Sequence, residues 1–431
     1  MFKSVQGTLA FAGLVALSTS SSLSARDVTT ANAESAYNAL MQWYNQQNGL
    51  WIPSTGWWNS ANCLTVIADL AAVDGSLKNA VTSVFKTTYT KAQQYNSGTL
   101  TVAKAYGVQG APSGPSFQSA LAHTQDDWQA WLPVSHYNFE LSSVLGDLSG
   151  VLARDLTERA NTGFLDGYYD DEGWWALGWI AAYDLTGNTT YLSQAQTIFN
   201  DMNAVFGKTN CSTINGVTGG IWWDKSHSYV NAIANELFLD VAAHLANRVK
   251  NSNVNYLSIA KQQWAWFQAS GLKNSGNTIN DGLDQSSCTN NNGTVWSYNQ
   301  GVILGGLAEL TRATGDTSYV TAAQQIADAG IAKLATPNGG ILQDPCEPST
   351  SCGADGSQFK GVFTRNLQIL QKQSPQSRYA TFLDNNANAI WANDRNSNSQ
   401  LSLKWNGPFV SPANASTQSS AMDALVASLA T

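Results

Sequence analysis

Six times along this chain, a loop rich in tryptophan and glycine opens an apolar stretch, and an amphipathic stretch follows. The apolar stretches begin near residues 60, 172, 228, 298, 360 and 418. Tyr191 to Phe206, Val254 to Ala269, Tyr319 to Ala335 and Gln376 to Asn393 carry apolar residues on one helical face only. A helix without a polar stripe must be covered all round, whereas an amphipathic one needs cover on a single side. Helical pairs repeating every several tens of residues build either an open solenoid or a closed ring. Six pairs with apolar inner members favour the ring, so the expected fold is all-α, an (α/α)6 barrel of six inner and six outer helices. Strand signals are sparse. Gly219-Gly220-Ile221 and Gly339-Gly340-Ile341-Leu342 read at most as short hairpins in loops, and Trp57-Trp58-Asn59-Ser60 reads as the end of a loop feeding a helix from Ala61 to Leu70.

The stretch from Tyr168 to Gly187 concentrates the chemistry. Asp170, Asp171 and Glu172 precede a run containing Trp174, Trp175, Leu177, Trp179, Ile180 and Tyr183, and Gly187 offers a stop. Acids suit the first turn of a helix, where free N–H groups and the positive dipole end favour negative charge. That gives one reading of Asp170 and Asp171, as capping and dipole complementation. The other is a working pair of carboxylates. Adjacent helical residues diverge by about 100°, which can hold two carboxyls near the roughly 5–5.5 Å separation of retaining glycosidases. An aromatic surround would raise the pKa of one while the other stays ionised. Asp126-Asp127-Trp128 is a second acidic pair beside tryptophan, in an irregular stretch between Tyr106 and about Gly150.

Only 12% of the residues are charged, against 16 tryptophans and a net charge of −8. Aromatic rings with neutral amides suit sugars, whose apolar faces stack and whose hydroxyls pair with amides and carboxylates. The negative balance argues against nucleic acid or anionic lipid as partner. Residues 1–25 read as a secretory signal, with Lys3, an apolar run from Leu9 to Leu17 and small residues ending at Ala25. No later segment approaches a membrane span, and Ala421 to Thr431 is too short and interrupted for a GPI-attachment tail. The expectation is a secreted, extracellular monomer. Residues 26–431 would form a single domain, with an insertion at about 104–150.

Of the five cysteines, Cys346 and Cys352 flank a short loop and are the pair expected to bridge; the pairing of Cys63, Cys211 and Cys288 stays open. Their spacing and the scattered histidines His123, His136, His227 and His244 make zinc unexpected, and no cofactor or metal is called for. Sequons at Asn188, Asn210, Asn292 and Asn414 agree with export.

Asp170-Asp171-Glu172-Gly173-Trp174-Trp175-Ala176-Leu177, Gly219-Gly220-Ile221-Trp222-Trp223-Asp224, Asn231-Ala232-Ile233-Ala234-Asn235-Glu236-Leu237-Phe238, and Cys346-Glu347-Pro348 with Phe359-Lys360-Gly361 together resemble glycoside hydrolase family 76, the α-1,6-mannanase family. The resemblance runs from about Ala33 to the C-terminus. It implies an (α/α)6 barrel and retaining hydrolysis of α-1,6-mannosidic bonds within mannan, with Asp170 as nucleophile and Asp171 as general acid/base. Two features depart from the family pattern: the long insertion, and Asp355-Gly356-Ser357-Gln358 where an Asp-Gln pair is expected.

Around such a site, Trp58, Trp174, Trp223 and Trp296 either stack on mannose or pack the core. Asn62, Asp224, Asn231, Asn235, Tyr298, Asn299 and Gln300 either bind hydroxyls or cap and join helices. Lys360 and Arg365 can serve as counter-ions to buried acids. A transglycosidase of cell-wall GPI glycans would use the same aspartates, and an inactive mannan-binding barrel would share the fold.

Overall fold

The computed structural model describes residues 28–106, 162–349 and 351–431. The signal segment, the insertion, the acidic pair Asp126-Asp127 with His123 and His136, and the helix expected from Leu145 to Arg159 lie outside the described residues.

Twelve long helices occur among the described residues, six of them inner. The inner ones are α2 (Trp57–Val73), α4 (Tyr169–Thr186), α6 (Ala232–Arg248), α8 (Ser297–Thr314), α10 (Phe359–Gln373) and α12 (Ala415–Leu429). The outer ones are α1 (Thr30–Met41), α3 (Lys78–Tyr106), α5 (Thr189–Asn203), α7 (Tyr256–Ser270), α9 (Ser318–Leu334) and α11 (Ser377–Asn393). Each inner helix packs against the next, and α12 closes on α2. The expected (α/α)6 ring is the observed architecture. The tryptophan-rich loop at residues 57–60 is corrected: those residues already form the first turn of α2, and Trp57, Trp58, Asn59 and Ser60 are all buried. Apolar burial on every side outweighs the loop character of the preceding Pro53 and Gly56.

Close approach of the inner helices depends on glycine. A β-carbon on Gly301 would lie 2.6 Å from the Cα of Phe363, and one on Gly361 would lie 2.5 Å from the Cα of Ser420. These contacts also give the direction of the helices. Gly301 meets Phe363 while Gly305, one turn later, meets Asn366, so α8 and α10 run parallel. Gly173 against Leu237 and Gly361 against Ser420 likewise match early turns with early turns. The inner N-termini therefore gather at one end of the ring, which forms its mouth.

The one hairpin among the described residues falls elsewhere than expected. Thr213–Ile214 (β1) pairs with Val217–Thr218 (β2) through Asn215-Gly216, both at positive φ. This is the Asn-Gly hairpin signal, and it precedes Gly219-Gly220. Ion pairs brace the opposite, closed end: Arg365 lies 3.3 Å from Asp423, and Arg248 lies 2.7 Å from Asp184 and 3.1 Å from Glu309. Lys360 sits 2.8 Å from the buried Glu347, so both expected counter-ions, Lys360 and Arg365, pair with acids. Cys346–Cys352 is bridged as expected, Cys211–Cys288 joins two loops, and Cys63 is free and buried. No helix among the described residues is long and apolar enough to cross a membrane.

Because Gly361 faces backbone and not a flexible side chain, Gly361→Ala should force α10 and α12 apart, at a cost of about 1–3 kcal/mol. Thermal unfolding of the variant checks this. An unchanged midpoint would show that the helices can separate freely at this level.

Candidate active site

The start of α4 is fixed by its neighbours before its chemistry is considered. The Tyr169 amide donates to the Trp223 carbonyl at 2.8 Å, and the Lys225 amide donates to Gly167 at 2.9 Å. These bonds pair the segment entering α4 with the loop entering α6, bridging Tyr168 and Asp224. Glu172, fully buried, accepts from Lys225 Nζ at 2.5 Å and from the Asp166 amide at 3.2 Å. Lys225 also reaches Asp201 of α5 at 2.8 Å. Glu172 is thus the anchor among the three acids.

Its two neighbours face the mouth. Asp170 Oδ2 accepts from the indole of Trp223 at 2.9 Å, and the ring of Tyr168 lies 5.0 Å from that of Trp223. Withdrawal from water pushes the Asp170 carboxyl up to about 8, while the indole donor and the first-turn amides pull the other way. Asp171 is 6% exposed. Its carboxyl is held well above the usual range, first by burial and then by the like charges of Asp166, Asp170 and Asp355. The two aspartates are therefore unequal. Both are raised, but one receives a donor that favours its anion, whereas the other is surrounded by acids that favour its protonated form.

An aromatic wall continues from these residues. The rings of Trp174 and Trp58 are 5.5 Å apart, Trp58 is 6.4 Å from Phe359, and Phe359 stacks on Tyr298 at 3.8 Å. Trp296 meets Phe359 edge-on at 5.6 Å. The Trp58 indole donates to Asp355 at 2.9 Å, so Asp355 does join the site despite its displaced position in the sequence. Beside the Trp223 loop, Asp281 accepts from the Tyr229 hydroxyl at 2.9 Å, and the charges of Asp281 and Asp170 both act on Tyr298.

Trp223 and Tyr298, both half-buried, stand beside Asp170. The other expected sugar contacts divide differently. Trp58 and Trp174 are 7% and 2% exposed and form the wall's packed backing. Asp224 turns onto its own loop, accepting from Ser226 at 2.9 Å and from Ser228. Asn231 caps α6 through the Ala234 amide at 3.2 Å. Asn235 and Gln300 are fully buried latches: Asn235 bonds Ile221 and Gln263, and Gln300 bonds Ile279 and the Trp296 carbonyl. Asn62 accepts from Arg365 in the barrel interior. For Asp224, Asn235 and Gln300 the structure corrects a hydroxyl-binding role to a structural one, because their polar atoms are engaged by the fold; the side-chain oxygens of Asn231 and Asn62 are likewise taken, while the Asn62 amide nitrogen is buried without a partner. Asn299 is fully buried with neither amide atom partnered.

Asp166, Asp281 and Glu236 were not singled out from sequence. Isolated acids in loops give no periodic signal, and Glu236 reads as an ordinary polar residue of α6. Both carboxyl oxygens of Glu236 are buried without a partner.

The sequence profile of Glycosyl hydrolase family 76 matches residues 151–431. The chain belongs to this family. Among curated proteins, it is 30% identical over 220 residues to mannan endo-1,6-alpha-mannosidase DFG5 of Candida albicans, covering 48% of each chain. The Saccharomyces cerevisiae protein of the same name is 26% identical over 220 residues, 48% of this chain and 47% of that one. The chain thus spans about half the length of the curated relatives it matches. Among solved structures, an inactive variant of a Salegentibacter α-1,6-mannanase in complex with α-1,6-mannotriose superposes with a TM-score of 0.66 at 17% identity, covering 93% of this chain and 98% of that one. Dfg5 of Chaetomium thermophilum in complex with glucosamine gives 0.64 at 16%, covering 93% and 90%. At these identities the structural likeness concerns the fold of family 76.

Burial and the nearby charges of Asp240 and Asp281 raise the Glu236 carboxyl well above 4.5. Folding therefore traps a proton there, and the stability linked to that proton is full in acid and lost as pH rises through the folded value. Glu236→Gln, which mimics the protonated form, should lessen the fall in Tm between roughly pH 5 and 9. Parallel Tm curves for the two proteins would show that Glu236 has the same charge folded and unfolded.

Proposed function

We propose that this protein is a secreted retaining glycosidase that hydrolyses internal α-1,6-mannosidic linkages of mannan. The observation carrying the reading is the unequal aspartate pair at the start of α4, one oxygen of Asp170 held by an indole donor and Asp171 enclosed by acids. In the first step Asp170 attacks the anomeric carbon as Asp171 protonates the departing oxygen. In the second, Asp171 takes a proton from water as that water's oxygen displaces Asp170. Trp223 orients the nucleophile and favours its anion. Trp223, Trp296 and Tyr298 offer ring faces to the sugar, with Asp281 and Asp355 as hydroxyl acceptors.

The names of the relatives support the linkage: the matched Candida and Saccharomyces proteins are mannan endo-1,6-alpha-mannosidases. The Salegentibacter enzyme was captured with α-1,6-mannotriose after replacement of two consecutive aspartates by asparagine. Export follows from residues 1–25, and the Cys211–Cys288 and Cys346–Cys352 bridges suit an oxidising compartment. The enzyme is proposed to act as a monomer without a cofactor.

Incubation of the secreted protein with unbranched α-1,6-mannan should release short manno-oligosaccharides. Asp171→Asn should lose about 10²–10⁴-fold in rate, and Asp170→Asn at least as much, with both variants still folded. Unfolding of both variants would return these acids to a capping role. Mannan left intact by folded wild type, with glycosyl transfer to an added sugar acceptor, would identify a transglycosidase. Intact mannan without transfer would leave a binding barrel.

Trp223→Phe removes the donor that favours the Asp170 anion, so the nucleophile should hold its proton to higher pH. The acidic limb of kcat/KM should move upward in pH. A limb that stays in place would separate Trp223 from the ionisation of Asp170.

A further inference from the structure

Asp166 lies outside the proposed chemistry, yet its placement is specified from several directions. Its amide is tied to Glu172 at 3.2 Å, and its Oδ1 accepts from the Tyr168 amide at 2.8 Å. The same short segment is pinned by the Lys225 amide on Gly167. The carboxyl so fixed meets that of Asp171 at hydrogen-bonding distance. Two carboxyls in such contact are stable only when a proton lies between them, because two bare anions would repel in a poorly solvated site.

The surroundings do not supply another way to settle the charge. Facing Asp171 are Asp170 on its own helix, Asp166 on the preceding segment and Asp355 ahead of α10. Tyr298 feels the charges of Asp170 and Asp355 and also those of Asp281 and Glu236, so the wider surroundings add only acids. Lys225 reaches this group only from behind and is held by Glu172 and Asp201. Among the described residues, no ion pair is made by Asp166, Asp170 or Asp171.

We propose that Asp166 is a positioning residue for Asp171, the two carboxyls sharing a single proton that Asp171 delivers to the leaving oxygen. The inference rests on the acid/base role proposed for Asp171. When the bond from the anomeric carbon to the leaving oxygen breaks and that to Asp170 forms, the shared proton moves to the leaving oxygen, and the pair passes from one negative charge to two. When water attacks and the bond to Asp170 breaks, the water proton returns to Asp171 and the pair regains its single charge. The repulsion built up in the first half makes Asp171 a stronger base for the second. Asp166 also holds the Asp171 proton in place toward neutral pH.

The test is the pH dependence of kcat/KM for Asp166→Asn on α-1,6-mannan. The asparagine carbonyl can still accept from Tyr168, so the segment stays anchored, while its amide now donates to Asp171 and favours the anion. The alkaline limb should fall by about one pH unit or more, with roughly tenfold lost near pH 7 and recovered in acid. An aryl α-mannoside, whose leaving group needs little protonation, should lose much less than mannan at the same pH. Asp166→Glu, which restores a carboxyl, should move the limb back toward wild type. An unmoved alkaline limb, or equal losses on both substrates at all pH values, would overturn the inference and leave Asp166 a purely structural residue. Asp171→Asn measured alongside separates the two claims: mannan hydrolysis that survives it defeats the acid/base reading itself. Dependence on Asp171 with an unmoved limb in Asp166→Asn defeats only the shared proton.

Discussion

Parallel alignment of the inner helices is the constraint from which the site follows. Each helix brings unpaired amides and about half a positive charge to its N-terminal end. With early turns packed on early turns around the ring, these ends converge on one mouth. A cluster of acids that would be hard to hold elsewhere is tolerable there. Asp170, Asp171 and Asp355 lie at or just before inner helix starts, and Asp281 is tied to the start of α6 through its carbonyl, which accepts from the Ala232 amide. The helices favour negative charge while the aromatic wall removes water, so the acids are attracted and desolvated together. Their proton affinities separate according to which receives a donor and which faces another acid.

Much of this was legible in the sequence. Repeated alternation of fully apolar and one-sided helices favours a ring over an open solenoid, because a ring covers the apolar inner helices on every side. Asp170 and Asp171 were legible because two acids preceding an unbroken aromatic helix conflict with simple burial. Glu172 illustrates the limit. In sequence it is a third acid of the same run, and only the fold shows that it is neutralised by Lys225, fifty-three residues later. Amides were the least legible class. Asn235 and Gln300 have the composition of sugar ligands, but bury every polar atom against backbone of neighbouring loops. A side chain that joins a loop to a helix and one that joins a sugar to a helix need the same donor and acceptor. Asp166 and Asp281 were invisible for the converse reason: their partners come from loops whose course no periodicity specifies.

The closed end of the ring follows a different logic from the mouth. There Asp423 and Arg365, and Asp184 with Arg248 and Glu309, meet as opposite charges, each satisfying the other. At the mouth Asp170, Asp171, Asp281 and Asp355 make no ion pair among the described residues, while Glu172, behind them, is paired. The same residue types are thus used to close one end and to keep the other reactive, and paired charge is what distinguishes a plug from a site.

The bridge between Cys211 and Cys288 joins the loop carrying Trp223 to the loop carrying Asp281, and the Tyr229 and Asn210 side chains bond across the same seam. These two loops therefore behave as one slab of wall, not as independent lips. Trp223, the indole partner of Asp170, and the Asp281 carboxylate keep a constant spacing along that side. Any change in the width of the mouth has to be made by the remainder of the rim, so this half acts as a fixed ruler for whatever is laid against it.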